Sequence, residues 1–151
     1  MEVNDIIFRV STATEKEIYT HLKACDNDFF PSLNSRVNIA DYAKKLFEKA
    51  ISFEAWNGNV LAGLVVAYFT DTLNKAAFIS SVSVLKQHLG KGIAVELARN
   101  CMVHARANGF STISLDVHKD NIAALCLYKK LHFIEQGSTN DMLQMKLELN
   151  L

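Results

Sequence analysis

The sequence predicts an α/β fold, a mixed and mostly antiparallel sheet with flanking helices and one parallel βαβ crossover. The hydrophobic period switches repeatedly between two and 3.6, in the order strand, helix, helix, three strands, helix, strand, helix, two strands. The early strands follow one another through short turns and so pair antiparallel. The later ones alternate with helices, the pattern of a crossover. Length sets the scale: 151 residues, half of them hydrophobic and one of them proline, suit a single domain over 1–151.

Ile6 to Val10 is a short apolar run suited to the first strand. Thr14-Glu15-Lys16-Glu17 has the S/T-x-x-E form of a capping box, and Ile18, Leu22 and Cys25 share one face of the helix that follows. Asp26-Asn27-Asp28 ends it and Phe29-Phe30-Pro31-Ser32 reads as a loop. Asn38 caps a second helix whose inner face is Ile39, Tyr42, Ala43, Leu46, Phe47 and Ala50. Ile51 to Trp56 and Val60 to Phe69 form a hairpin around Asn57-Gly58, a pair suited to a type I′ turn. Ala76 to Leu85 is a third strand. Ile93 to Asn108 is the longest helix, stopped at Gly109 and facing inward through Ala94, Leu97, Ala98, Cys101, Met102 and Ala105. A strand at Thr112 to Val117, a helix at Asn121 to Leu131 and strands at Phe133 to Gln136 and Met142 to Leu149 complete the chain.

Sixteen Lys plus Arg balance sixteen Asp plus Glu, so no overall positive field draws in nucleic acid or an anionic membrane. Any anion site must be local. Cys25, Cys101 and Cys126 are odd in number, far apart and outside metal-ligand spacing, so the expectation is reduced thiols, no metal and a cytoplasmic location. The acidic start Met1 to Asp5 lacks the marks of a signal peptide, and the longest uncharged run, Ala55 to Thr70, is too short and too interrupted for a bilayer span.

The segment richest in chemistry is Val82-Ser83-Val84-Leu85-Lys86-Gln87-His88-Leu89-Gly90-Lys91-Gly92-Ile93, a buried strand leading through a loop into a helix. The first turn of a helix leaves N–H groups unpaired and partly positive, and glycines let the main chain approach a phosphate. Gly-x-Gly at such a turn is equally consistent with tight-turn geometry alone. It is neither a Walker A loop nor a dinucleotide G-x-G-x-x-G, since position 95 is Val95.

Gln87-x-x-Gly90-x-Gly92 resembles the R/Q-x-x-G-x-G/A signature of the GNAT superfamily of acetyl-CoA-dependent N-acetyltransferases. Asn121-Ile122-Ala123-Ala124-Leu125-Cys126-Leu127-Tyr128-Lys129-Lys130-Leu131-His132-Phe133 resembles that family's N-x-x-A-x-x-L-Y-x-K-x-G-F block. The order of elements matches as well, so the resemblance spans essentially the whole chain.

The resemblance implies acetyl-CoA as cofactor. It places Val82, Ser83 and Val84 beside the pantetheine and thioester, and wraps Gln87, His88, Leu89, Gly90, Lys91, Gly92 and Ile93 around the pyrophosphate. Asn121 falls on the pantetheine side, and Tyr128 becomes the candidate general acid for the departing thiolate. A thiolate leaves readily without a proton, so a phenol helps mainly by hydrogen bonding. Direct transfer to a neutral amine requires a base, for which Ser80, Ser81, Ser83, Asp116 and His118 offer no clear choice. Phe29, Phe30 and Arg36 are the acceptor contacts the family pattern suggests, although Arg36 equally suits a solvated charge.

Three positions depart from the pattern. Leu89 replaces a common arginine and Lys86 a frequent proline, which predicts weaker phosphate affinity without loss of function. His132 replaces a glycine at a position that often needs positive φ, which His tolerates better than most residues. Tyr128 could also serve packing alone, Cys101 and Cys126 read as buried small hydrophobes, and His21 and His104 as surface residues on their helices. The expected activity is N-acetylation of a small primary amine such as an amino sugar, amino acid or polyamine. The alternatives are a catalytically silent acyl-CoA sensor and an acetyltransferase of protein N-termini or lysines. Exposed strand edges leave a homodimer open.

Overall fold

A computed structural model describes residues 5–149, so the reading of Met1 to Asn4 lies outside the described residues. The elements are β1 (Ile6–Val10), α1 (Glu15–Ala24), α2 (Ile39–Lys49), β2 (Ile51–Asn57), β3 (Val60–Asp71), β4 (Ala76–Val84), α3 (Ile93–Ala107), β5 (Thr112–His118), α4 (Ile122–Lys130), β6 (Ile134–Thr139) and β7 (Met142–Glu148). They form one seven-stranded sheet in the order β1-β2-β3-β4-β5-β7-β6. Every neighbouring pair is antiparallel except β4 and β5, which α3 connects. No helix among the described residues is long and apolar enough to cross a membrane.

Helix ends follow from local chemistry. Thr14 accepts the Glu17 N–H at 3.1 Å while the Glu17 carboxylate accepts the Thr14 N–H at 2.9 Å, a complete capping box. Asn38 caps α2 through the Asp41 N–H, and Asn121 caps α4 through the Ala124 N–H. Gly109, at φ +79°, closes α3. His132 takes φ +74° after α4.

Period-two alternation divides the strands between two cores. Val65 of β3 joins Phe53, Leu97, Cys101, Ile113 and Met145 on the α3/α4 face. Its neighbours Leu64 and Val66 join Ile18, Leu22, Leu46 and Trp56 beneath α1 and α2.

The parallel pair is short. β4 and β5 are in register only over Ala76–Phe78 and Thr112–Ser114, and beyond that the strands part. Just past the fork, Ile79 sits opposite Ala67 and Ser81 opposite Val66, leaving Ser80 as an extra residue. Such a bulge resets which residues face each side. Ala77 and Ile79 pack toward α3 before it, and Val82 and Val84 after it. Ser81 and Ser83, paired with Val66 and Leu64, therefore face α1 and α2.

Several expectations need correction. The hairpin turn is Gly58-Asn59, with Asn57 paired to Val60, and positive φ occurs at Gly58 alone, the type II′ pattern. Phe47 is exposed, because the sheet covers only the Ile39, Ala43 and Leu46 stripe of α2. Cys126 is exposed, two residues from inward-facing Tyr128 and so on the far side of α4. His104 stacks edge-on against Phe53 and Phe69, with ring centroids 5.5 and 4.8 Å away, so it is part of the packing.

Candidate active site

Past Phe78, the edge of β4 that faces β5 carries main-chain groups with no strand partner, from Ile79 to Val84. Such groups bind whatever extended polar chain is offered to them. At the end of β4 the chain turns through a 3₁₀ segment at Lys86–His88 and reaches Gly92, the N-cap of α3, at φ +76°. Gly90 has φ +79°, and nothing lies within 4 Å of where a Cβ would project from either glycine. The glycines are there for backbone conformation and open space, and packing does not require them.

That conformation has an electrostatic result. The N–H groups of Leu85, His88 and Leu89 are bonded, to Ala62, Leu85 and Lys86 respectively. From Gly90 to Val95 no main-chain N–H finds an acceptor among the described residues, and the bonds resume only with Glu96 to Gly92 at 3.1 Å. Among the four α-helices, α3 alone has no side-chain cap. Aligned free N–H groups at a helix start, with Lys91 exposed beside them, fit a phosphate anion. A pyrophosphate-bearing cofactor with an extended polar arm matches both the cradle and the free edge of β4.

The remaining predicted residues lie on β4, in the turn after it, at the start of α3, and on α4 or its N-cap. Val82 and Val84 are half-buried and Ser83 is buried. Gln87 is exposed in the turn. His88 is buried there, with Nε2 3.5 Å from the Asn57 amide and Nδ1 without a partner among the described residues. Leu89 is 60% exposed, whereas Ile93 is buried and anchors the first turn of α3. Asn121 uses its side-chain oxygen to cap α4. Tyr128 is buried against Phe133 at 5.6 Å between ring centroids, and its hydroxyl has no hydrogen-bond partner among the described residues. Burial pushes that phenol well above its usual range, so it keeps its proton.

The connection from α1 to α2 crosses the open end of the fork. Asp28 lies 3.8 Å from Lys86 at the end of β4, and Phe30 meets the His118 ring at the end of β5, with centroids 6.0 Å apart. Phe29 packs into the α1/α2 core. Arg36 is exposed and joins no ion pair among the described residues.

Two buried polar groups were not visible as site residues in the sequence. Glu54 is fully buried on β2 and accepts from the N–H groups of Thr12 and Ala13 at 2.9 Å each and from Trp56 Nε1 at 3.0 Å, as well as from the Thr12 and Ser52 hydroxyls. Burial alone would raise its carboxyl, but these donors outweigh burial and hold it below the usual carboxylate range. His21, expected on the surface, is 2% exposed. Its Nδ1 lies 2.8 Å from the Leu61 carbonyl and its Nε2 2.9 Å from Ser83 Oγ. Burial pushes this imidazole below the ordinary histidine range, against the upward pull of those two bonds.

Known proteins share this fold. The acetyltransferase (GNAT) family model matches residues 16–133. Human N-acetyltransferase 8B is 36% identical over 58 residues, 38% of this chain and 26% of that protein, so the match spans about a quarter of that relative's length. A Bacillus subtilis acetyltransferase solved in complex with CoA superposes with a TM-score of 0.74 at 22% identity, covering 97% of this chain and 100% of the other. The ribosomal-protein-S18-alanine N-acetyltransferase of Escherichia coli superposes with a TM-score of 0.72 at 17% identity, covering 96% of each chain. At these identities the two structures show a shared fold, whereas the family match takes in the forked strands, the glycine loop and α4 together. The chain belongs to the GNAT family of acetyltransferases.

Proposed function

We propose that the protein transfers the acetyl group of acetyl-CoA to the primary amine of a small molecule such as an amino sugar, amino acid or polyamine. The observation that carries this reading is the unpartnered N–H run from Gly90 to Val95 at the end of a strand whose own edge is free.

Acetyl-CoA, when bound, supplies an acetyl thioester. The Gly90 to Val95 N–H groups and Lys91 hold the pyrophosphate, with Gln87, His88 and Leu89 shaping the turn and Ile93 fixing the start of α3. Main-chain groups of Val82, Ser83 and Val84 pair with the pantetheine amides as an added strand would, and Asn121 borders the same arm. An N–H on the free edge of β4 takes up negative charge on the carbonyl oxygen. Tyr128, a phenol that holds its proton at neutral pH, donates a hydrogen bond to the departing sulfur.

A small acceptor is favoured because the α1–α2 connection spans the mouth from Lys86 to His118, with Phe29, Phe30 and Arg36 as the acceptor contacts. The likeness to the E. coli enzyme, whose name specifies a protein alanine, keeps a protein N-terminus as the second reading, and an acyl-CoA sensor without turnover is the third. Free cysteines support a cytoplasmic location, and the single continuous sheet supports one domain over 1–151. A screen following release of the CoA thiol separates the readings. Turnover with small amines supports the first, turnover only with peptides supports the second, and tight binding without turnover supports the sensor.

A further inference from the structure

An ammonium has no lone pair, so an amine acceptor must lose a proton before or as it attacks. The obvious bases are unsuited to take it. Glu54 spends its carboxylate on Thr12, Ala13, Ser52 and Trp56, and Asp116 is exposed on β5. His118 stands at the mouth, but its Nδ1 accepts the Asp120 N–H at 3.1 Å. In the neutral ring Nε2 then carries the hydrogen, and no basic nitrogen is free.

His21 has the opposite arrangement. A carbonyl only accepts, so the 2.8 Å contact with Leu61 O puts the ring hydrogen on Nδ1. Nε2 is then the basic nitrogen, and Ser83 Oγ donates to it at 2.9 Å. A hydroxyl, an imidazole and an acceptor that orients the imidazole are the parts that let a protein draw a proton through a hydroxyl. Ser83 lies on the free segment of β4, facing the α1/α2 side. Beside the ring, a cavity of about 260 Å³ lined by His21, Leu61, Leu85, Trp56, Lys16 and Glu17 leads outward.

We propose that His21 is the proton acceptor of the acetyl transfer, acting through Ser83 as a relay. The proposal rests on the acetyltransferase reading above. The ammonium gives one N–H proton to Ser83 Oγ while the Ser83 proton passes to His21 Nε2, and the neutral amine that remains bonds to the acetyl carbon; the second proton, shed as the amide forms, leaves with the CoA thiol. The C–S bond breaks and its electron pair leaves on the CoA sulfur. The imidazolium then loses its proton to water, restoring the neutral ring.

The groups facing His21 leave it free to act. From α1, Cys25 Sγ lies 3.7 Å from Nε2, and its thiol is pushed up to about 11 by burial and then by Asp28, so it stays neutral. Lys16 and Glu17, also on α1, line the cavity as a pair of opposite charges. β3 offers the Leu61 carbonyl, β4 the Ser83 hydroxyl, and the β2–β3 hairpin the uncharged Trp56 and Asn59.

The test compares wild type, His21→Gln and Ser83→Ala with two kinds of acceptor across pH. One is a panel of primary aliphatic amines (2-aminoethanol, spermidine, glucosamine), which are protonated at neutral pH. The other is hydroxylamine, which is largely unprotonated there. Both variants should lower kcat for the aliphatic amines by about a hundredfold and abolish the acid limb of the kcat–pH profile, which in wild type falls below the ordinary histidine value of ~6.5. In His21→Gln, hydroxylamine turnover and the acetyl-CoA Kd should change by less than about threefold, within the ordinary context scatter of a polar contact. An acid limb that persists in either variant overturns the relay. So does an equal loss with both kinds of acceptor, which would mark a structural role. Ser83→Ala removes a single oxygen and keeps the test decisive if His21→Gln fails to fold. A wild type that binds acetyl-CoA yet acetylates no amine, or does not bind it, refutes the acetyltransferase reading itself and the relay with it.

Discussion

Gly92 holds φ at +76° in open space, a conformation that costs an L side chain roughly 1–2 kcal/mol. Replacing it with Val should leave the cores intact, because no side chain is displaced. It should also turn the Gly90 to Val95 N–H groups away from their common focus, and isothermal titration should show acetyl-CoA affinity falling at least about tenfold, the equivalent of ~1.4 kcal/mol. Tyr128→Phe removes one unpartnered hydroxyl. The expected result is unchanged acetyl-CoA affinity with kcat down by about tenfold to a hundredfold, since one hydrogen bond to a good leaving group is at stake. Glu54 carries the pH prediction. Its folded pKa is depressed, so its stabilisation is present above the ordinary carboxyl value of ~4.3 and is lost as pH falls through the lower folded value. Glu54→Gln should therefore destabilise by about 3 kcal/mol at pH 7. In urea titrations that difference should shrink at pH 3, and an unchanged difference would show that the carboxylate charge is not what the cage of donors holds.

At the scale of elements, Gly63 on β3 decides how α3 sits. A Cβ there would come within 2.6 Å of Ile93 Cγ2 and 3.2 Å of Leu97 Cδ1, and a β-branched isoleucine in a helix has little rotamer freedom with which to yield. Gly63→Ala should lower stability by about 1–3 kcal/mol, the usual cost of overpacking. It should also weaken acetyl-CoA binding, because the residue that must move opens the phosphate cradle; stability loss without any change in affinity would contradict that link. Gly63 cannot be recognised from the sequence, since it lies in an apolar strand and the residue it makes room for is thirty positions away. The local devices were legible for the converse reason. Thr14 with Glu17, Asn38, Asn121 and Gly109 act within a few residues of themselves, so the helices they bound could be placed before any tertiary contact was known. His21 was misplaced because Thr20 and Lys23 surround it with polar character, while the partners that bury it, Leu61 and Ser83, come from two other strands. The hairpin turn slipped by one residue because Asn57-Gly58 and Gly58-Asn59 are both acceptable turn pairs, and strand register, a non-local property, chose the second.

At the scale of the molecule, the proposed function rests on a sheet that fails to stay paired. β5 remains bonded to β7 along its full length, from Thr112 opposite Glu148 to His118 opposite Met142, while β4 remains bonded to β3 on its other side. Each strand of the fork is thus paired along its other edge. The glycine loop lies at one end of the gap between them, and the α1–α2 connection closes over its mouth. The two family motifs made the proposed cofactor side of this arrangement legible, because they lie on the elements that would build it. The proton path was not legible, because it joins an α1 histidine to a β4 serine with no characteristic spacing.

The most direct test is the melting temperature with and without saturating acetyl-CoA. At a hundred times its dissociation constant, a ligand that binds only the folded state adds ~2.7 kcal/mol, which in a chain of this size corresponds to a rise of roughly 5–10 °C. The account predicts that rise for wild type and its loss in Gly92→Val, whose unliganded melting temperature should itself fall by roughly 2–8 °C for the strain of a side chain at φ +76°. A wild type whose melting temperature does not move at millimolar acetyl-CoA would contradict the central claim that the β4–β5 fork and the start of α3 form the cofactor site.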